Sequence, residues 1–134
     1  MSEGGPALFR LVRFWSRRWA RGPGSPQLVL TVEAVRAAGS EAGVNDVARQ
    51  LGLDQSGASR MVAAATSAGH LERARSAIDA RRTTLRLTTS GEELLTGARA
   101  WQHETFDELT AHWPEPDRER FAHYLQRLAH EVGA

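Results

Sequence analysis

At 134 residues, with 41% hydrophobic and 25% charged side chains, the chain is sized for one domain and able to build a core, which excludes wholesale disorder. Cysteine is absent, so a disulfide scaffold, a thiol nucleophile, a cysteine redox sensor and a cysteine zinc site are all excluded. The formal net charge is +1 but is unevenly spread: residues 1–43 and 44–86 carry +3 each and residues 87–134 carry −5, as expected if one face meets an anionic partner.

The segment around Pro6–Arg21 is expected to be a helix, because Leu8, Leu11, Val12, Trp15 and Trp19 recur at three- and four-residue steps. Gly22, Pro23, Gly24, Ser25 and Pro26 end that pattern. Leu28, Val32 and Val35 then lie on one face of a second helix that stops near Gly39. Asn45 offers an N-cap to a short third helix carrying Val47, Ala48 and Leu51. Gly52 and Leu53 make a tight turn, Asp54 caps the next helix (Gln55 to Ala68), and Gly69 stands just past its end. The periodicity then changes: Leu71–Arg75 and Thr83–Thr88 read as short strands around a polar tip, residues 76–82. From Ser90 a long helix is expected, with Glu92 and Glu93 in its first turn and Leu94, Ala98, Trp101, Phe106, Leu109 and Trp113 as its apolar stripe. Pro114-Glu115-Pro116 breaks it, and a last helix presents Phe121, Tyr124, Leu125, Leu128 and Val132.

Helix, glycine turn, helix and a basic-tipped hairpin make a winged helix-turn-helix, so the expected fold class is mainly α with a small β-hairpin wing. A short helix braces a second, polar-faced one, whose N-terminal residues Gln55, Ser56, Ser59 and Arg60 suit base edges in a major groove. The first turn of that helix also offers backbone N–H groups to a phosphate. At the tip, Arg81 and Arg82 suit a narrow, electronegative minor groove, and Asp79 stands two residues before Arg81, where an ion pair would extend that side chain. Arg75 and Arg82 are expected at phosphates, whereas Arg73 is expected to support the wing by pairing within the protein, with Asp79 as partner.

Residues 43–53 (Gly-Val-Asn-Asp-Val-Ala-Arg-Gln-Leu-Gly-Leu), Ser59-Arg60, Gly69-His70-Leu71-Glu72-Arg73, Asp79-Ala80-Arg81-Arg82 and residues 85–91 (Leu-Arg-Leu-Thr-Thr-Ser-Gly), in that order and spacing, resemble the MarR family of bacterial transcriptional regulators. Two positions depart from the family pattern: Ala65, where a larger residue is usual, and His70, where an aliphatic one is. The resemblance implies a homodimer built by interlocked terminal helices and a pseudo-palindromic double-stranded DNA operator. It also implies release by a small, frequently aromatic ligand. On this reading residues 1–134 form one domain, with a winged core at about 27–89 and dimerisation helices at about 6–21 and 90–132. The ligand site is assigned to Trp15, Arg18 and Trp19 solely from their place in the first helix.

Plainer readings stand beside these. Aromatic stripes at helical spacing more often bury area in a core or dimer than cage a ligand, and Arg60, Arg75 or Arg82 can be solvated surface charges. His103, His112, His123 and His130, with Glu104, Asp107 and Glu108, suggest a metal-sensing regulator as an alternative, but there is no His-x-x-x-His pair and no metal or other cofactor is expected. A second alternative is a winged module that binds protein instead of DNA. An enzyme is not expected: Ser56-Gly57-Ala58-Ser59 is no nucleophile elbow, and without lysine no Walker loop exists. No apolar run approaches the ~20 residues of a membrane span. The N-terminus, with Arg10, Arg13, Arg17 and Arg18 among its apolar residues, does not read as a signal peptide. A cytoplasmic repressor without a membrane partner is the expectation.

Overall fold

The computed structural model describes residues 1–19, 22 and 24–134. Its described residues form six helices and one two-stranded sheet: α1 (Gly4–Trp19), α2 (Pro26–Ala38), α3 (Val44–Leu51), α4 (Gln55–Ser67), β1 (Leu71–Arg75), β2 (Thr83–Leu87), α5 (Thr89–Leu109) and α6 (Glu115–Glu131). Ala20, Arg21 and Pro23 lie outside the described residues, and with them the expected end of the first helix. The chain divides into two compact units, residues 1–101 and 102–134.

In the first unit α2 is the central element. Pro26 stands in its first turn, and Val29, Thr31, Val32, Ala34 and Val35 are all buried, too many for a single stripe. Against it pack α3 and α4, which contribute Val47 from one and Ala58, Val62 and Ala65 from the other, each fully buried. The steps of four and three along α4 give that helix one apolar face. At Ala65 the core closes around a methyl group.

The start of α3 differs from expectation. Its N-cap is Gly43, not Asn45, which is exposed inside the first turn. Asp46 explains the shift: its carboxylate accepts the Gly43 N–H at 2.8 Å, while the Gly43 carbonyl already accepts from Val47. Gly52 then turns the chain at φ +64°, a left-handed conformation in which a Cβ is costly. Asp54 caps α4 by accepting the Gly57 N–H at 2.8 Å. At the other end, Gly69 and His70 N–H groups return to the Thr66 and Ala65 carbonyls and close the helix.

The strands pair antiparallel with Leu71 opposite Leu87, Arg73 opposite Leu85 and Arg75 opposite Thr83. Leu71 and Leu85, each 2% exposed, root the hairpin in the core, and the Leu85 N–H also donates to the Ala42 carbonyl at 2.8 Å. Thr88 caps α5 by accepting the Gly91 N–H at 3.1 Å. Gly91 sits against the His70 carbonyl so closely that a Cβ there would lie 2.2 Å from its oxygen. An Arg36–Glu92 ion pair further ties α2 to α5.

The second unit also corrects an expectation. The long helix ends at Leu109, and Trp113 lies in the turn that follows instead of on its stripe. The Thr110 hydroxyl bonds back to the Phe106 carbonyl, and the Trp113 N–H folds onto Thr110, so the helix closes before the proline. Pro114 caps α6 with its carbonyl, which accepts from Asp117 and Arg118. Phe121 stacks on Phe106 (5.9 Å between centroids) and meets Trp113 (5.2 Å). Arg118 reaches Thr110, Asp107 and Glu115.

Candidate nucleic-acid interface

The amphipathic pattern of α4 decides which side chains face outward. With Ala58, Val62 and Ala65 turned into the core, Gln55, Ser56, Ser59 and Arg60 are all exposed along its N-terminal half. They supply amide, hydroxyl and guanidinium groups, the donors and acceptors that distinguish base edges. Met61 and Ala64 line a cavity of about 240 Å³ with Ser25, Gln27, Leu28 and Thr31 of the α2 region.

The hairpin tip is organised by Asp79. Its carboxylate accepts from Arg81 at Nε (3.2 Å), Nη2 (3.3 Å) and the backbone N–H (3.0 Å). Those Arg81 bonds, side chain first and backbone second, hold the carboxyl below the ordinary aspartate range, with the nearby Arg82 charge adding a smaller push. Of the two partners expected for Asp79, the structure pairs it with Arg81 and not with Arg73, since two residues across a turn reach each other more readily than strand and tip. Arg73, Arg75 and Arg82 instead line a cleft of about 390 Å³ with Thr83. All are exposed, and an Arg86–Glu72 ion pair at 2.7 Å joins the strands behind them. This leaves a strongly basic surface on the wing.

Under the tip lies a residue that the sequence alone did not single out. Glu41, in the loop between α2 and α3, accepts the Ser76 hydroxyl at 2.8 Å and the Ile78 N–H at 3.2 Å. No local motif announces it, because its partners lie 35 and 37 positions downstream.

In structure, the chain is similar to a MarR family protein from Bacillus stearothermophilus, with TM-score 0.75 and 17% identity over 100% of this chain and 99% of that one. It is similar to S. aureus MepR in a MepR–DNA complex, with TM-score 0.67 and 20% identity over 95% of this chain and 98% of the other. MepR bound to ethidium bromide is a further match, with TM-score 0.64 and 20% identity over 95% of each chain. Neither a family model nor a curated protein matches the sequence. This chain has the fold of the MarR family regulators.

Within the MarR fold, α3 and α4 are the helix-turn-helix and β1–β2 the wing. The residues assigned to a ligand lie on α1: Trp15 meets Trp101 edge-on at 6.2 Å, Arg18 lies over the Phe14 ring at 5.9 Å, and Trp19 is half-buried. The structure brings none of them to the cavity between α2 and α4. Of the proposed metal-site residues, His103 and Asp107 are exposed on α5, and among the described residues no group of three or more His, Asp or Glu gathers around a point where a metal ion would sit. No described helix is long and apolar enough to cross a membrane.

Proposed function

We propose that this chain is a sequence-specific DNA-binding transcriptional regulator that acts as a homodimer on a pseudo-palindromic operator. The observation that carries the reading is the pairing, in one MarR fold, of an exposed polar N-terminal half of α4 with a hairpin whose arginines face solvent. The similarity to MepR, whose DNA complex is known, supports it. Gln55, Ser56, Ser59 and Arg60 enter the major groove, Arg81 enters the adjacent minor groove, and Arg75 and Arg82 meet phosphates. Asp79 supports the wing.

Dimerisation follows from what a single chain leaves uncovered. Leu8, Phe9, Leu11 and Val12 of α1 are exposed, as are Tyr124, Leu125 and Leu128 of α6. Apolar faces of that kind mark an interface, and a two-fold dimer presents two α4 helices to half-sites ~34–36 Å apart. The dimer represses in the cytoplasm by occluding a promoter. A small aromatic ligand that binds near Trp15, Arg18 and Trp19 and prefers the non-binding spacing of the two helices releases it. MepR bound to ethidium bromide lends the ligand-binding step support from the same fold. The protein needs no catalytic site for this work.

The test is selection of bound duplexes from a random library, followed by titration of the winner against salt. A palindromic consensus and a steep fall of affinity with salt are expected. A folded dimer that selects no duplex would leave the winged module as a protein-binding one.

A further inference from the structure

We infer that Glu41 is a positioning residue of the wing, setting from the helical body where Arg81 enters the minor groove. The inference rests on the DNA-binding reading above. Its structural basis is an unbroken string of hydrogen bonds. Glu41 Oε1 accepts the Ser76 hydroxyl (2.8 Å) and the Ile78 N–H (3.2 Å). Ser76 Oγ accepts from the Ile78 N–H (3.1 Å) and the Asp79 N–H (3.0 Å), and Asp79 in turn grips Arg81. Ser76 is only 6% exposed, so the string passes through the base of the tip, and its own N–H closes the hairpin onto the Arg82 carbonyl at 3.0 Å.

Three physical points separate this role from a chance surface contact. A two-stranded ribbon is marginally stable by itself, and this tip has little to bury: Ala77 and Ala80 are exposed and Ile78 is 83% exposed. Packing therefore does not fix it, whereas hydrogen bonds to the Glu41 Oε1 acceptor do. The anchor is also doubled, because the carbonyl of the next residue, Ala42, accepts the Leu85 N–H of β2. Finally, a carboxylate beneath a DNA-facing wing opposes an anionic polymer, so charge alone gives no reason for it there. Among the described residues its other oxygen, Oε2, is buried without a hydrogen-bond partner. The oxygen that matters is Oε1.

That asymmetry designs the test. Glutamine keeps the acceptor oxygen, places its NH2 where Oε2 makes no bond, and removes the charge. The proteins are wild type, Glu41→Ala, Glu41→Gln, Arg81→Ala and the Glu41→Ala/Arg81→Ala double variant, probed with the duplex that wild type selects. Glu41→Ala is expected to weaken binding by roughly tenfold, with a flatter salt dependence. Glu41→Gln is expected within about twofold of wild type. The double variant is expected to bind like Arg81→Ala alone, since both substitutions remove the same contact. Tighter binding by Glu41→Ala, equal losses for Ala and Gln, or additive losses in the double variant would each overturn the inference. Amide hydrogen exchange of the free protein separates the two levels. Faster exchange at Ile78 and Asp79 in Glu41→Ala, but not in Glu41→Gln, is expected whether or not any duplex binds. Unchanged exchange in Glu41→Ala sinks the positioning role, while a wild type that selects no duplex sinks the regulator reading.

Discussion

Arg81 is 91% exposed along its side chain, yet its guanidinium is bound twice to the Asp79 carboxylate, at 3.2 and 3.3 Å. An exposed ion pair contributes little to stability. What it gives here is direction, because a side chain with many rotamers is held in one before any partner arrives.

Replacing Asp79 with alanine is accordingly expected to weaken operator binding even though it deletes a negative charge beside DNA. Arg81→Ala is expected to weaken it as well and to reduce the slope of log affinity against log salt by ~0.9 per wing, ~1.8 for the dimer. Fluorescence anisotropy at several salt concentrations reads both. Tighter binding by Asp79→Ala would mean that charge, not direction, governs the wing.

The pH dependence has a definite sign. Arg81 lowers the Asp79 pKa in the folded protein, so the pair contributes above the ordinary aspartate pKa of ~3.9 and is lost as pH falls through the lowered value. The NMR shift of the Arg81 amide, which donates to the Asp79 carboxylate, is expected to stay constant from neutral pH to about 5 and to move only below the ordinary carboxylate range. A transition near neutrality would contradict the assignment.

On α4, Arg60→Ala is expected to cost ~1–3 kcal/mol for the selected operator and to relax preference at one position per half-site. Repeating the duplex selection with the variant reads the position directly. An unchanged consensus and affinity would return Arg60 to the solvated surface.

Gly91→Ala tests the joint between wing and α5. The added methyl would meet the His70 carbonyl oxygen at 2.2 Å, a backbone atom that cannot turn aside. A loss of ~1–3 kcal/mol is expected in denaturant melts. Gly97→Ala, in the same helix with nothing within 4 Å of the new methyl, serves as the control and is expected to stabilise by ~0.5–1 kcal/mol.

Removing residues 114–134 deletes α6 and strips Phe121 from Phe106 and Trp113. The product is expected to aggregate and to lose operator-specific binding, as judged by light scattering and gel shift. A stable monomer that binds the whole operator with wild-type affinity would overturn the dimer.

How much of this was legible beforehand follows the range of each interaction. Asp54 as a cap, Gly52 as a turn and the two strands rest on contacts within a few residues, and local sequence exposes them. At the start of α3, Asn45 reads as the cap from local sequence alone, whereas the Asp46 carboxylate reaching back to the Gly43 N–H moves the cap two residues earlier. By spacing alone Trp113 continues the apolar stripe of α5. Backbone closure at Thr110 outweighed that pattern, and the ring found Phe121 from the turn. Glu41 was invisible for the opposite reason: a lone glutamate in a loop has no periodicity, and only the fold delivers Ser76 and Ile78 to it.

The cap on α4 has a consequence for how the protein would search a genome. Because Asp54 takes the Gly57 N–H, the positive end of the helix is partly neutralised before DNA arrives, and a phosphate approaching it meets a carboxylate. On the proposed DNA-binding reading, a leading turn shielded in this way would hold non-cognate phosphates less tightly than the wing's exposed arginines would. Retention on the duplex would then fall to the wing and discrimination to α4. In single-molecule tracking, Asp54→Asn should lengthen pauses at non-cognate sites, and unchanged pauses would show that the cap leaves the search untouched.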